Sequence, residues 1–564
     1  MLHRRRAARG HAPPRGPAST IGPSGELLLQ RRLGTRLATL ALLPALSAAG
    51  PPADSIRERD IAATLRFLSS AELEGRGAAG RGGAVAAAYL ASRLEAIGLL
   101  PDGDPGPEGA SFFQEIPGVE ARFDAAGSWI ESRTAGAAPR RFAAGPGAFL
   151  AVPDRADTVE VRGEAVFAGF GIRAPEHSHD DYAGLHVAGK IVIAFSGEPG
   201  ETDPASRWSG VRSTRHATTA AKEALARSLG AAALLIVPNP SGRAPTAADL
   251  VRGRADEMSE PWLGVEGAEP PLPTVYLEPE TAAALLAGSG IDPRAPSADL
   301  EASKPAGRAL AGREIAVRLA YRDRRPVPLR NVVGRLGSGK ALDGEVVVLG
   351  AHFDHLGTAG GALHPGANDN ASGVSALLAV AGALASAPPP GGREILVVFW
   401  TAEERGRLGS SWFVSHPPVP GARIAAAVNL DVLGRSNFDR PEYANAIQLI
   451  YSAAAPVLRD LAARANEEAG FDLRFHPALR LQPVGDHYSF AEAGLPVVFV
   501  FSGYYDEYHG VGDTADRIDV SRIARTARLV ARLARLLAEH PAPIRLDPSI
   551  REAPKPDPFE RPEH

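Results

Sequence analysis

The sequence predicts an α/β protein: a mostly parallel mixed sheet flanked by helices, with a smaller α/β module inserted into the chain. Three observations carry this expectation. Between about 325 and 540, long apolar runs of strand type alternate with helical stretches, the pattern of a parallel sheet covered on both faces. Between about 155 and 300 the runs shorten and are punctuated by Gly/Pro turns around one Ala-rich helix, which marks a separate unit. Finally, 564 residues at 45% hydrophobic and 22% charged composition are enough for several folded domains and exclude wholesale disorder or a multi-span membrane protein.

Taken in order, Arg31, Arg32 and Arg36 precede an apolar run from Leu37 to Leu46 and then the small residues Ala48 and Ala49. This reads as an extension and export signal over 1–49 with cleavage near Ala49, because roughly ten apolar residues cannot span a bilayer. The expected location is periplasmic or extracellular, and the pair Arg31-Arg32 alone does not fix the export route. Over 50–154, apolar residues at helical spacing in Ile61 to Leu68 and Val85 to Leu99 predict two helices around the turn Glu74-Gly75-Arg76-Gly77. Over 155–305 the strand-type runs are Glu164 to Phe170, Lys190 to Phe195, Ala232 to Val237 and Thr274 to Leu277, with a helix from Thr218 to Leu229. The acids and histidines of this module (His177, His179, Asp180, Asp181, His186) fall in turns, so it is expected to do no chemistry. The region 306–540 closes with a helix, Val520 to Leu537, whose apolar face (Ile523, Ala527, Val530, Ala534, Leu537) is expected to pack on the sheet with its arginines solvated. No stable membrane association is expected. From Pro541 to 564 the Pro-rich, charged chain favours a solvated tail.

Composition narrows the chemistry. Lys plus Arg (61) nearly balances Asp plus Glu (65), so the net charge of −4 gives no attraction to nucleic acid. Cysteine is absent, which removes disulfides and thiolate catalysis and leaves any metal to histidine and carboxylate.

Four apolar runs stop at an acid or a histidine. Glu345 to Gly350 leads into His352, Asp354 and His355; Ile395 to Trp400 into Glu403 and Glu404; Ile424 to Leu430 into Asp431; and Val497 to Ser502, through a Gly/Tyr loop, into Tyr508 and His509. Open α/β sheets bind ligands outside the carboxyl ends of their strands, so these groups converge if the strands are parallel neighbours. Asp369, in the tight loop Gly366 to Gly373 ahead of an Ala/Leu-rich helix, is a fifth member. Each has an ordinary explanation: Asp369 or Ser372 as a helix cap, Glu403-Glu404 as a solvated turn, a histidine as a packed side chain. Repeated placement at strand ends is what points to a divalent metal.

These residues carry a resemblance. His352-x-Asp354, the loop Gly366-Ala-Asn-Asp-Asn-Ala-Ser-Gly373, Thr401-Ala-Glu-Glu404 with Gly406, Gly409 and Ser410, Asn429-Leu-Asp431, and Tyr508-His509 followed by Asp513-Thr514 resemble the co-catalytic zinc aminopeptidases of the aminopeptidase S and glutamate carboxypeptidase superfamily. The second region resembles a protease-associated domain through Gly169 to Ile172, Asp181 to Gly184 and Gly189 to Val192, and Leu68 to Arg76 resembles the family's N-terminal helices.

The resemblance implies a zinc exopeptidase fold of phosphorylase/hydrolase type and two zinc ions per chain. His352 and Asp431 would bind one ion, Glu404 and His509 the other, with Asp369 bridging them. Glu403 would be the general base, Asp354 would hold the second ring nitrogen of His352, and Tyr508 would stabilise the oxyanion. The implied activity is an aminopeptidase acting on peptides. The alternatives are a glutamate-carboxypeptidase-type zinc carboxypeptidase, a single-zinc glutaminyl cyclase and a non-catalytic receptor-like member. His355 and His364 read as loop residues, with lining of the pocket mouth as the alternative, and Asp486-His487 as a supporting pair outside the metal set.

Overall fold

The apolar runs form the strands they predict. In the computed structural model the described residues are 55–557, apart from 243–260, 295–306 and scattered gaps of one to three residues. The expected export segment lies outside them. In chain order the principal strands are β1 (Phe113–Thr134), β2 (Val159–Phe167), β3 (Ile191–Phe195), β4 (Ala233–Val237), β5 (Thr274–Leu277), β6 (Arg308–Leu336), β7 (Ala341–His352), β8 (Gly392–Trp400), β9 (Ile424–Asp431), β10 (Ala446–Ser452), β11 (Asp472–Ala478) and β12 (Val497–Phe501). They share one mixed sheet in which eleven follow the order β11-β10-β12-β9-β7-β8-β6-β2-β3-β4-β5 and β1 pairs with β6 off that path.

Two parallel blocks stand on either side of β6. In one, β7 pairs in parallel with β8 and β9, and β9 with β12. In the other, β2, β3 and β4 are successive parallel neighbours, and β4 pairs with β5. The 29-residue β6 runs antiparallel to β2 over Arg308–Leu319, to β1 over Arg313–Val332 and to β8 over Val332–Leu336, so a single strand belongs to both blocks. Every residue of β3, β4, β9 and β12 is buried, as expected of strands covered on both faces.

Separate apolar clusters cover these blocks. Leu90, Leu94, Leu377, Val530 and Leu537 pack on one face of the β7–β9 block, and Trp400, Phe413 and Phe490 on the other. Phe167, Phe170, Phe195 and Trp208 fill the module's core. At Gly350 a side chain would meet the Trp400 indole at 2.4 Å, so β7 crosses the large ring only where there is no Cβ.

Three details differ from expectation. The closing helix, Val520–Glu539, buries its apolar face as predicted, yet Arg522 is buried too, donating to the carbonyls of Ala444 and Ala446. The tail is not simply solvated. Ile544 is fully buried, and Asp557 exchanges hydrogen bonds with Phe475 on the edge strand β11, its amide to Phe475 O at 3.0 Å and its carboxylate from Phe475 N at 2.7 Å. In the module, His179 and Asp181 are buried rather than solvated: His179 Nε2 lies 3.0 Å from Asp181 Oδ2, which also accepts from the amides of Phe170 and Ile172. Among the described residues no helix is long and apolar enough to cross a membrane.

Candidate metal centre

Because β7, β8, β9 and β12 run parallel, their carboxyl ends lie along one edge, and the polar residues that end them meet there. His352 Nε2 lies 3.3 Å from Asp431 Oδ1 and 3.4 Å from Asp369 Oδ1. On the other side His509 Nε2 lies 3.1 Å from Asp369 Oδ2 and 3.3 Å from Glu404 Oε2. Ligands about 2.0–2.1 Å from a tetrahedral zinc stand roughly 3.3 Å from one another, so His352 and His509 each lie at ligand spacing from two carboxylates. Asp369 contributes one oxygen to each. Asp369 Oδ2 and His509 Nε2 make no hydrogen bond although both are buried, which is the state of donor atoms shaped for an ion. Imidazole nitrogens and carboxylate oxygens suit zinc, so the residues fit the group the sequence implies. Glu403 stands beside them, with one ligand-type atom each of His352, Glu403 and Glu404 falling within 4.8 Å of one another.

The loop that presents Asp369 is held from three sides. Asp513 accepts from the amides of Asn368 (2.9 Å) and Asp369 (3.1 Å) and from the Tyr505 hydroxyl (2.9 Å). Asn368 Oδ1 accepts from Gly434 N at 2.6 Å, and Ser372 Oγ from Leu433 N at 2.9 Å, which ties the loop to the segment after Asp431. Asn370 Oδ1, not Asp369, accepts from Gly373 N (3.0 Å) where the helix Gly373–Ser386 begins. Asp369 is thereby left free for another role. Ala402, Val432 and His509 all carry positive φ (54°, 54° and 59°), a strained conformation for side-chain-bearing residues that concentrates at this edge.

The Asp354 contact differs from the implied one. Its carboxylate accepts from the amides of Glu403 (3.0 Å) and Glu404 (3.4 Å), and stands 3.8 Å from His352 Nδ1. The nearest acceptor to that nitrogen is the Asp354 main-chain carbonyl at 3.3 Å. Asp354 therefore fixes the turn that carries both glutamates, because a β7-end carboxylate reaches the neighbouring β8 turn more readily than the ring on its own strand. Tyr508 is 38% exposed with its ring stacked 4.0 Å from that of His509, which puts it at the mouth.

Other contributors were not assigned from sequence. Arg76 is fully buried and donates to the carbonyls of Leu68, Phe353 (2.8 Å), Pro365 (2.8 Å) and Gly366 (2.7 Å), bridging the N-terminal segment to the loops beside His352 and Asp369. His364 Nδ1 lies 3.0 Å from the His509 carbonyl, and His355, buried rather than at the mouth, lies 2.8 Å from Glu404 Oε1. Their only sequence signal was position: two histidines between His352 and Asp369, and an arginine in a turn.

Electrostatics separate the two glutamates. Burial, with Asp486, Glu404 and Asp431 nearby, pushes Glu403 well above the usual carboxylate range. Glu404 suffers burial and the Asp369 charge too, but His355 and His509 close to its two oxygens outweigh them and hold it down at about 2. Burial opposes charge on His509, yet Asp369 and Glu404 raise it to about 11. One glutamate is thus set to carry a proton and the other to stay ionised.

Behind Glu403 lies the buried pair Asp486-His487, its imidazole stacked 4.2 Å from Phe499. Burial first, with Asp354 and Asp431, raises Asp486 to about 7, and burial with Arg407 lowers His487 to about 3. The signs oppose. Asp486 costs stability as pH rises from its ordinary 3.8 towards 7, because the unfolded chain releases a proton that the fold retains. His487 costs stability as pH falls from its ordinary 6.5 towards 3, because only the unfolded chain takes up a proton. In the metal-free protein the two slopes offset one another where the windows overlap. Asp486→Asn is therefore expected to steepen the acid-side loss by about 1.4 kcal/mol per pH unit below neutrality, read from urea midpoints at several pH values. Parallel slopes for variant and wild type would refute this assignment.

Comparison with known proteins agrees with this geometry. Residues 331–534 match the family model described as Peptidase family M28. Aminopeptidase YwaD of Bacillus subtilis is 30% identical over 211 residues, 36% of this chain and 43% of that protein. The probable lipoprotein aminopeptidase LpqL of Mycobacterium tuberculosis is 27% identical over 246 residues, 37% of this chain and 46% of that protein. The chain thus spans less than half the length of these curated relatives. The solved aminopeptidase from Aneurinibacillus sp. strain AM-1 superposes with a TM-score of 0.51 at 19% identity, over 88% of this chain and 97% of that one, which shows a common fold.

Proposed function

Since residues 331–534 belong to peptidase family M28, we propose that the chain is a zinc-dependent aminopeptidase that removes residues from the amino ends of peptides. The observation that carries this reading is the shared carboxylate: Asp369 has one oxygen at ligand spacing from His352 and the other from His509. His352, Asp369 and Asp431 would hold one zinc, and Asp369, Glu404 and His509 a second. When bound, such ions polarise the scissile carbonyl and make an attacking water more acidic. The remaining work falls to the chain. Glu403, outside both triads and raised by burial, takes a proton from the water and returns it to the leaving amine. Asp354 holds the Glu403 and Glu404 amides so that one glutamate faces the metal position and the other the substrate. Tyr508, raised far above its ordinary value by burial and the surrounding acids, stays protonated and donates to the oxyanion at the mouth.

The module over 155–305 is, in this reading, a protease-associated domain that shapes access, and the chain acts after export. The test is metal analysis alongside a substrate panel. The purified protein should carry about two zinc ions per chain, lose turnover to a chelator and regain it on adding zinc. It should cleave an amino-acid anilide with a free amine and spare the N-blocked counterpart. Cleavage restricted to substrates with a free C-terminal carboxylate would instead favour the carboxypeptidase alternative, and absence of bound metal after reconstitution would remove the dinuclear site.

A further inference from the structure

His355, Asp369 and Glu404 each offer a ligand-type atom within 4.8 Å of the others, but the two His355 distances are uneven for a shared ion. His355 Nδ1 is 2.8 Å from Glu404 Oε1, a hydrogen-bond length, and 4.0 Å from Asp369 Oδ2. His509 Nε2, by contrast, is at ligand spacing from Asp369 Oδ2 and from the other Glu404 oxygen, Oε2. The two oxygens of Glu404 are therefore divided, Oε1 towards His355 and Oε2 towards Asp369 and His509.

The ring is also fixed in place. His355 is 2% exposed, its amide donates to the Arg76 carbonyl at 3.3 Å, and one face lies on Gly366, where a side chain would meet the ring at 2.5 Å. Gly366 is at φ +59°, so the glycine that allows the turn before Asp369 also makes room for the imidazole. The His509 ring stands edge-on to it, with centroids 5.9 Å apart. His355 Nε2 makes no hydrogen bond, which leaves Nδ1 as the nitrogen that carries the proton.

We propose that His355 is a positioning residue of the metal centre: its Nδ1–H holds Glu404 Oε1, so that only Oε2 is presented to a metal between Asp369 and His509. This rests on the dinuclear reading of the site. Monodentate presentation keeps the ligand count of that position low and leaves room for water and substrate. Outer partners that orient a metal ligand are worth about 10–100-fold in metal affinity.

The experiment uses the full chain and two nearly isosteric variants. In His355→Asn the side-chain amide N–H replaces Nδ1–H, whereas His355→Leu has no donor. Stepwise zinc affinities are measured against a competing chelator, and the number of nitrogen ligands by X-ray absorption on the zinc-loaded proteins. His355→Leu is expected to weaken one of the two ions by about 10–100-fold with the nitrogen count unchanged, and His355→Asn to recover most of that loss. Equal affinities in wild type and His355→Leu, or equal weakening in both variants, would overturn the proposal. So would loss of a nitrogen ligand in both, which would make His355 itself a ligand. Urea midpoints of the metal-free proteins show whether each is folded. If His355→Leu is not, His355→Gln, whose donor reaches the Nε2 position instead, takes its place and should weaken the same ion. A wild-type chain that binds no zinc fails the dinuclear reading before any variant is compared.

Discussion

Glu403→Gln is expected to keep its metal and lose about 10²- to 10⁴-fold in turnover, the usual contribution of general acid-base catalysis. The amide is nearly isosteric, and Glu403 belongs to neither triad at ligand spacing, so metal content has no reason to change. What disappears is a carboxyl whose proton affinity burial raises well above that of an ordinary carboxylate. Glu404→Gln should behave in the opposite way. It replaces a carboxylate held at about 2 by an amide, a poorer zinc ligand, and should weaken the ion that His509 also holds. Metal analysis distinguishes the two variants even if both are inactive. Near-normal turnover in Glu403→Gln would refute its role, and the reversed metal pattern would exchange the two assignments.

Asp369→Ala should lose metal and activity together, because this carboxylate alone faces both triads. Its removal also leaves His352 and His509 facing a site with one negative charge fewer. The drop in zinc affinity should therefore exceed the roughly 10–100-fold typical of losing an outer partner, and both ions should be affected. Stoichiometry by elemental analysis, read together with a thermal melt of the metal-free protein, is the check. Full metal content in a folded Asp369→Ala chain would show that the two triads are not bridged. Helix capping does not explain a loss, since Asn370 makes the hydrogen bond to Gly373 N.

The meeting of His352, Glu404, Asp431 and His509 was legible in the sequence because each follows or ends an apolar run, and strand ends of a parallel sheet share one edge. His352 and Asp431 close β7 and β9 themselves, so their placement followed from finding the strands. Arg76 was not legible: its partners Phe353, Pro365 and Gly366 lie far along the chain, and no local pattern announces which carbonyls a buried guanidinium will gather. The same holds for His355, whose partner Glu404 comes from the next strand of the sheet. Asp354 was correctly placed at the site but with the wrong neighbour, since spacing shows proximity to His352 and not that the β8 turn offers two amides. The tail was misread because proline and charge favour water on average, while Ile544, with Leu546 packed against the same core, draws that stretch in. In the module, turn-rich composition concealed that Asp181 is a buried acceptor for two main-chain amides.

The Arg76 contacts bear on where this protein can be cut. The recognisable family segment begins at residue 331, yet the guanidinium that spans the loops beside His352 and Asp369 is supplied from far upstream, together with Ile61, Leu65, Leu68, Leu90 and Leu94 of the shared apolar core. A fragment trimmed to the matched segment would keep every candidate zinc ligand while stripping a greasy flank from the sheet and leaving the carbonyls of Phe353, Pro365 and Gly366 without their donor. The inheritable unit here is wider than the stretch by which its kinship is detected, and a shortened gene should be drawn around the arginine as well as around the ligands.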